Sequence, residues 1–140
     1  MLLDHEEYKR WIRSSYLTLE SAKRDKEAGD HAWACFKSHQ AAEKALKALL
    51  WGIGEPAIGH SLVKLLNLIQ EKLAGDTPED IKNATLKLSR YYIPTRYPDV
   101  WSEGTPEEYY SLTDSEEALE LAGKIIKWVE WIWRKLENIE

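Results

Sequence analysis

The residue types that can do chemistry gather in three stretches. The first is His39-Gln40-Ala41-Ala42-Glu43-Lys44, with Lys47 just beyond it. On a helix, residues 40, 43, 44 and 47 share one polar side. His39 and Glu43 are four apart and can hydrogen-bond, and Glu43 with Lys47 has the order that favours an i,i+4 ion pair. The same residues also suit a satisfied core histidine beside ordinary paired charges. The second stretch is Gly59-His60-Ser61, where a helix should start. His60 there can handle a proton near neutral pH, or bridge the helix start to a neighbouring carbonyl. The third is Tyr91-Tyr92-Ile93-Pro94-Thr95-Arg96-Tyr97-Pro98-Asp99. Arg96 can grip a phosphate with Tyr97 as a stacking surface, or pair with Asp99 or a bundle carboxylate and pin the loop.

Other chemistries lack their residues. The four histidines, His5, His31, His39 and His60, form no H-E-x-x-H pair, and Cys35 is the only cysteine, so no metal site is expected. Glu43 and Glu116 belong to no set of paired E-x-x-H motifs. There is no Gly-rich phosphate cradle, G-x-S-x-G turn or dinucleotide fingerprint, and no cofactor is expected.

The elements that must position these residues read as helices throughout. Residues 4–28 carry Tyr8, Trp11 or Ile12, Ser15, Leu19 and Ala22 at spacings of three and four, the pattern of one inward helical face. Gly29 stops this segment and Asp30 is placed to cap the next. Residues 31–53 repeat Cys35, His39, Ala42, Leu46, Leu49 and Ile53 along one side. Ala34, Ala41, Ala42, Ala45 and Ala48 leave room for a close neighbour, and Gly52, Gly54 and Pro56 end the segment. A shorter helix starts near His60 or Ser61 and carries Leu62, Leu65, Leu66 and Ile69 to about Leu73. Thr77-Pro78-Glu79-Asp80 predicts a restart with Thr77 as cap and Pro78 at the first helical position. That fourth helix carries Ile81, Ala84, Leu88 and Tyr91.

Between residues 92 and 112 periodicity fails, because Pro94, Pro98, Gly104 and Pro106 forbid a continuous helix. Thr105-Pro106-Glu107-Glu108 can open one turn. Thr113 with Glu116 reads as the capping box of the last helix, which runs to about Leu136 on Leu121, Ile125, Val129, Ile132 and Leu136. Trp128, Trp131 and Trp133 cannot share one stripe, since each position turns by about 100°. The fold class is therefore all-α: an antiparallel up-and-down bundle of four or five helices, with a long irregular connection before the last, in one domain over residues 1–140.

Composition bounds the function. With 44% hydrophobic and 31% charged residues, the chain is globular rather than disordered. No apolar run approaches the roughly 20 residues of a membrane span. Early Asp4, Glu6 and Glu7 argue against a secretory or transit segment, so the cytoplasm is the expected location. A net charge of -5 offers no general attraction to duplex DNA or an anionic membrane. Seven Trp and seven Tyr against one Phe suit half-buried positions at a core rim or subunit interface.

The stretch Ala34-Cys35-Phe36-Lys37-Ser38-His39-Gln40-Ala41-Ala42-Glu43-Lys44-Ala45-Leu46-Lys47-Ala48 resembles the opening signature of HEPN domains. Gly59-His60-Ser61-Leu62 looks like the next landmark of that family, and Tyr91-Tyr92 with Thr95-Arg96-Tyr97-Pro98-Asp99 resembles the third. The resemblance implies an antiparallel helical bundle, commonly a homodimer, often encoded beside a minimal nucleotidyltransferase in a toxin–antitoxin or related two-component system. Many such proteins are metal-independent ribonucleases, with an Arg followed after four to six residues by a late His. No histidine follows His60 here, so neither Arg90 nor Arg96 completes that motif. Arg24 and His31 have the spacing but straddle Gly29 at the first connection. The expected function is recognition or assembly, with nucleotide, RNA or the nucleotidyltransferase as partner. Its surface would combine the second helix with the Arg96 loop, Lys44 or Lys47 adding charge and His39 orienting the site. The alternatives are a metal-independent ribonuclease using Arg96 with His39 or His60, and a purely structural dimerisation module.

Overall fold

The computed structural model describes all 140 residues. Five α-helices follow in order: α1 (His5–Glu27), α2 (His31–Gly52), α3 (Leu62–Leu73), α4 (Glu79–Ser89) and α5 (Leu112–Ile139). They form the expected all-α antiparallel bundle, with a long connection before the last helix. No helix is long and apolar enough to cross a membrane.

The second helix is the axle. Ala34, Ala41, Ala42, Ala45 and Ala48 are fully buried together with Leu46, Leu49 and Leu50, so α2 is enclosed on nearly every side. It packs chiefly against α1 and α5. The small residues permit that closeness: Ser15 on α1 reaches across to donate to the Ala41 carbonyl at 2.6 Å, which a larger residue in the seam would prevent. The ends are tied as well, by a bond from the Asp4 amide to the Gly52 carbonyl at 2.7 Å. Asp4 caps α1 by accepting from the Glu7 amide, satisfying one of the orphan donors of the first turn. Burial on α1 falls on Tyr8, Ser15, Leu19 and Ala22, with Trp11 and Ile12 only half-buried against the core.

Three helix starts differ from the sequence expectation. Asp30 precedes α2, but its side chain makes no capping bond. Thr77 does not cap α4: its hydroxyl turns back to Gln70 Oε1 at 3.4 Å, and Pro78 itself is the cap residue, its carbonyl accepting from Ile81 and Lys82. Extended backbone at Pro78 (ψ 145°) delays the helix to Glu79. At α5 the capping box is Ser111 with Asp114 rather than Thr113 with Glu116. In the first turns of this earlier start, buried Ser115 lies 2.9 Å from His31 Nδ1.

The inward face of α5 is also rotated from the expected one. Ala118, Ala122, Ile125, Ile126, Val129 and Trp133 are buried, whereas Leu121, Ile132 and Leu136 are half-buried. Trp133 enters the core because Gly52 leaves room for its ring, which stacks on Tyr8 at 4.1 Å and 7°. Trp131 is half exposed.

Residues 92–112 form no α-helix before Leu112. Two 3-10 turns, Pro98–Val100 and Pro106–Glu108, punctuate the segment, the second on the predicted Thr105-Pro106 start. Trp101 stacks on Tyr109 at 3.9 Å and donates from its indole to the Pro94 carbonyl at 2.8 Å. The Tyr109 hydroxyl closes the loop on the Glu103 carbonyl. The aromatic content thus gives this connection a small core of its own.

Candidate functional site

The site is built on one face of α2. Phe36, His39, Gln40, Glu43 and Lys47 follow each other at helical spacings of three, one, three and four, so their side chains lie along adjoining rows. Glu43 is the hub. Its carboxylate side chain is only 6% exposed and accepts from Lys47 Nζ at 3.1 Å. It also accepts from His60 Nδ1, at 3.1 and 3.2 Å to the two oxygens. Lys47 is as deeply buried, its ammonium 5.8 Å from the Trp11 ring. A carboxylate taken from water requires such partners, and here one comes from its own helix and one from the α2–α3 connection.

His60 in turn joins that connection to the rest of the site. Its ring stacks on Tyr92 at 5.1 Å, and His39 approaches the same tyrosine at 5.1 Å. His39, His60, Ser61, Ser89 and Tyr92 line an open cleft of about 350 Å³. His39 is almost wholly buried, with Nδ1 3.1 Å from Gln40 Oε1. Burial holds His39 below its ordinary value near 6.5; the Gln40 bond and Glu43 oppose the shift, while His60 and Arg96 reinforce it. The ring is therefore neutral at pH 7. With Nδ1–H donating to Gln40, Nε2 keeps its lone pair.

Arg96 completes the group from beyond the end of α4. Its guanidinium carbon lies 4.2 Å from the centre of the Phe36 ring, 4.7 Å from Tyr92 and 4.9 Å from Tyr97. Nε donates to the Tyr92 carbonyl at 2.8 Å, and Nη1 approaches the Tyr97 hydroxyl at 3.5 Å. No carboxylate pairs with it: Asp99 is exposed in the next turn, and no ion pair involves Arg96. The loop is pinned through Arg96, but by aromatic faces and a carbonyl rather than the carboxylate considered from sequence. A guanidinium fixed this way keeps Nη2 without a protein partner, and such a fork suits a carboxylate or phosphate.

Tyr92 thus brings His39, His60 and Arg96 into one neighbourhood, with Gln40 and Glu43 behind the histidines and Tyr97 beside the arginine. Three candidates fall outside it. Lys44 turns to α1 and donates to Thr18 Oγ1 at 2.9 Å. Lys47 makes the i,i+4 pair with Glu43 that the spacing favours, and being buried in it adds no free charge to the cleft. Asp99 stays exposed and pairs with no group of the site. The expected His39–Glu43 bond is replaced by His39–Gln40 and His60–Glu43. Phe36 and Ser89 were missed as site residues, while Ser61 and Tyr92 stood in the second and third stretches without a role of their own. Phe36, one turn before His39 on the same face, was findable; Ser89 was not, since only tertiary packing brings it to the cleft. No three His, Cys, Asp or Glu residues are grouped to hold a metal ion.

The fold and the site together define an all-helical bundle domain whose central helix carries His39 and Glu43 beside the Arg96 loop. The family model for the HEPN domain matches residues 8–132, and the chain belongs to the HEPN domain family. It is similar to the solved structure of TT1696 from Thermus thermophilus, at 43% identity and TM-score 0.83 over 88% of this chain and 95% of that one. It is also similar to ST0689, an archaeal HEPN homologue, at 39% identity and TM-score 0.73, covering 88% and 94% of the two chains. A HEPN domain protein from Thermotoga maritima is 32% identical, with TM-score 0.72 over 89% and 98%. No curated protein matches significantly.

Proposed function

We propose that the Arg96 surface recognises a phosphate-bearing ligand, a nucleotide or single-stranded RNA, and that the protein is a recognition or assembly module. The observation that carries this reading is Arg96 itself: a guanidinium without a carboxylate, held against three aromatic rings, beside a cleft with two histidines. Charge-assisted bonds from such a fork to phosphate are about twice as strong as neutral ones, and exposed Tyr97 offers a face for a base. The family resemblance adds a homodimer and a minimal nucleotidyltransferase partner in a two-component, toxin–antitoxin-like system. Exposed Ile93, Tyr97, Val100 and Leu112 suit an interface near the same loop.

Binding of labelled oligouridylate and of ATP, followed by fluorescence anisotropy, tests the reading. Arg96→Ala should weaken binding at least about tenfold, and Arg96→Lys should not restore it, because an ammonium reproduces neither the fork nor the stacking. Unchanged affinity in Arg96→Ala, with altered assembly, would instead favour the purely structural dimer.

A second reading, a metal-independent ribonuclease, gains from the convergence of His39, His60 and Arg96 around Tyr92. His60 donates to the buried Glu43 as a histidine oriented for proton transfer does, and Arg96 is placed to offset charge on phosphate. RNA cleavage in EDTA, lost in both His60→Gln and Arg96→Ala, would replace the binding-only reading.

A further inference from the structure

The groove between α3 and α5 lies away from the Arg96 site and shares no residue with it. Its floor is aliphatic, from Ile69 and Leu73 on α3 and Ile132 and Leu136 on α5, with Trp128 and Trp131 as a wall and a volume of about 410 Å³. That volume is within the range of sites that enclose apolar ligands.

The charges beside it are one-sided. Lys124, Lys127, Trp128, Trp131 and Lys135 fall at helical spacings of three, one, three and four, which places them in one arc of α5. The three lysines are exposed, and none pairs with a carboxylate. The acids of this half of α5 are occupied elsewhere: Glu130 accepts from the Tyr16 hydroxyl, and Glu137 and Glu140 face His5. This basic row stands on a chain of net charge -5. Compensation of the helix dipole does not explain it, since that effect fades within the last turn and Lys124 and Lys127 lie well before it. Trp131 stays half exposed, with Lys135 Nζ 4.1 Å above its ring.

We propose that this groove binds an acidic amphipathic helix of a partner protein, its apolar side chains on the aliphatic floor and its carboxylates along Lys124, Lys127 and Lys135. The combination of floor and rim selects this occupant. A nucleic acid would use the lysines and leave the aliphatic floor empty, and a flat bilayer surface would not reach the recessed floor formed by Ile69, Leu73, Ile132 and Leu136. Asp76, on the opposite rim, repels carboxylates there and so fixes which flank of the helix carries them. Recognition of this kind reads apolar anchors at spacings of three, four and seven, while the charges set partner choice and encounter rate.

The test uses the full chain and a fluorescein-labelled synthetic helix of about 18 residues, with leucines on one face and glutamates on one flank. Anisotropy should show micromolar binding, about tenfold weaker for the peptide with lysines in place of glutamates, and weaker again in high salt. Trp131→Ala, and separately the triple Lys124→Glu, Lys127→Glu, Lys135→Glu, should each lose about tenfold in affinity while melting like the wild type. Equal binding of both peptides, no loss in the triple variant, or preference for oligouridylate or anionic phospholipid vesicles would overturn the proposal. So would sedimentation showing a dimer that Trp131→Lys converts to monomer, because a second copy would then fill the groove.

Discussion

Replacing Lys47 by methionine keeps most of the apolar stem and removes the charge, leaving Glu43 buried with His60 as its remaining partner. The separation is 3.1 Å and the two side chains are 8% and 6% exposed. At an effective dielectric of about 20, a pair so close attracts by about 5 kcal/mol. His60, whose side chain is 54% exposed, remains to offset part of the loss, so the net cost should be about 3 kcal/mol, at the lower end for breaking a buried pair. For a chain of this length, with an unfolding entropy of about 0.3 kcal/mol/K, that loss lowers Tm by about 10 °C. Thermal and urea melts followed by circular dichroism measure it. The double variant Glu43→Gln, Lys47→Met should be more stable than Lys47→Met alone, since no bare carboxylate is left inside. A single variant within about 0.5 kcal/mol of wild type, or a double variant showing plain additivity, would refute the account of Glu43 as a buried hub.

Three further outcomes follow from the core and its titrating groups. Gly52→Ala should destabilise by more than about 2 kcal/mol, because its Cβ would stand 2.5 Å from Trp133 Cζ3 and the Tyr8 stack leaves that ring nowhere to go; chemical denaturation checks it. Burial pushes the Cys35 thiol up to about 12, helped by Asp114 and Glu117, so it should resist DTNB at pH 8 and react only as fast as the protein unfolds. His39, held neutral mainly by burial, takes up its proton at lower pH in the folded state than in the unfolded one. The unfolded state thus binds more protons just below the ordinary value of 6.5, and the stability linked to His39 is full above that pH and is lost as pH falls toward the folded value. Melts from about pH 7.5 to about pH 5 should show this loss, and His39→Gln should reduce the slope.

The legible parts of this protein share a physical cause. Ser15, Leu19 and Ala22, or Leu62, Leu65, Leu66 and Ile69, are buried because helical geometry alone puts them on one face. The alanines of α2 announced a crowded neighbour without naming it. What stayed illegible depended on competing local options. Ser111 and Thr113 both have an acid three residues on, and no local pattern separates the Ser111–Asp114 box that forms from the other. Thr77 looks like a cap until Gln70 supplies another partner. The Glu43–Lys47 pair was legible from its i,i+4 spacing, but its burial was not, because nothing local reveals that the α2–α3 connection brings His60 onto Glu43.

By itself, the sequence determined that the chain forms helices and that residues 92–112 must be irregular, because backbone geometry, proline and glycine act over a few residues, although α4 ends at Ser89 and leaves Tyr91 outside it. It also determined the family, through residue types at set spacings. Only the tertiary structure decided which groups meet: that His60 bonds Glu43, that Arg96 lies against Phe36 and Tyr92 instead of pairing with Asp99, and that Trp133 is core while Trp131 stands at a groove. Those outcomes depend on burial and on partners tens of residues away, where the cost of an unpaired buried charge or an unfilled space is set by neighbours that no local pattern contains.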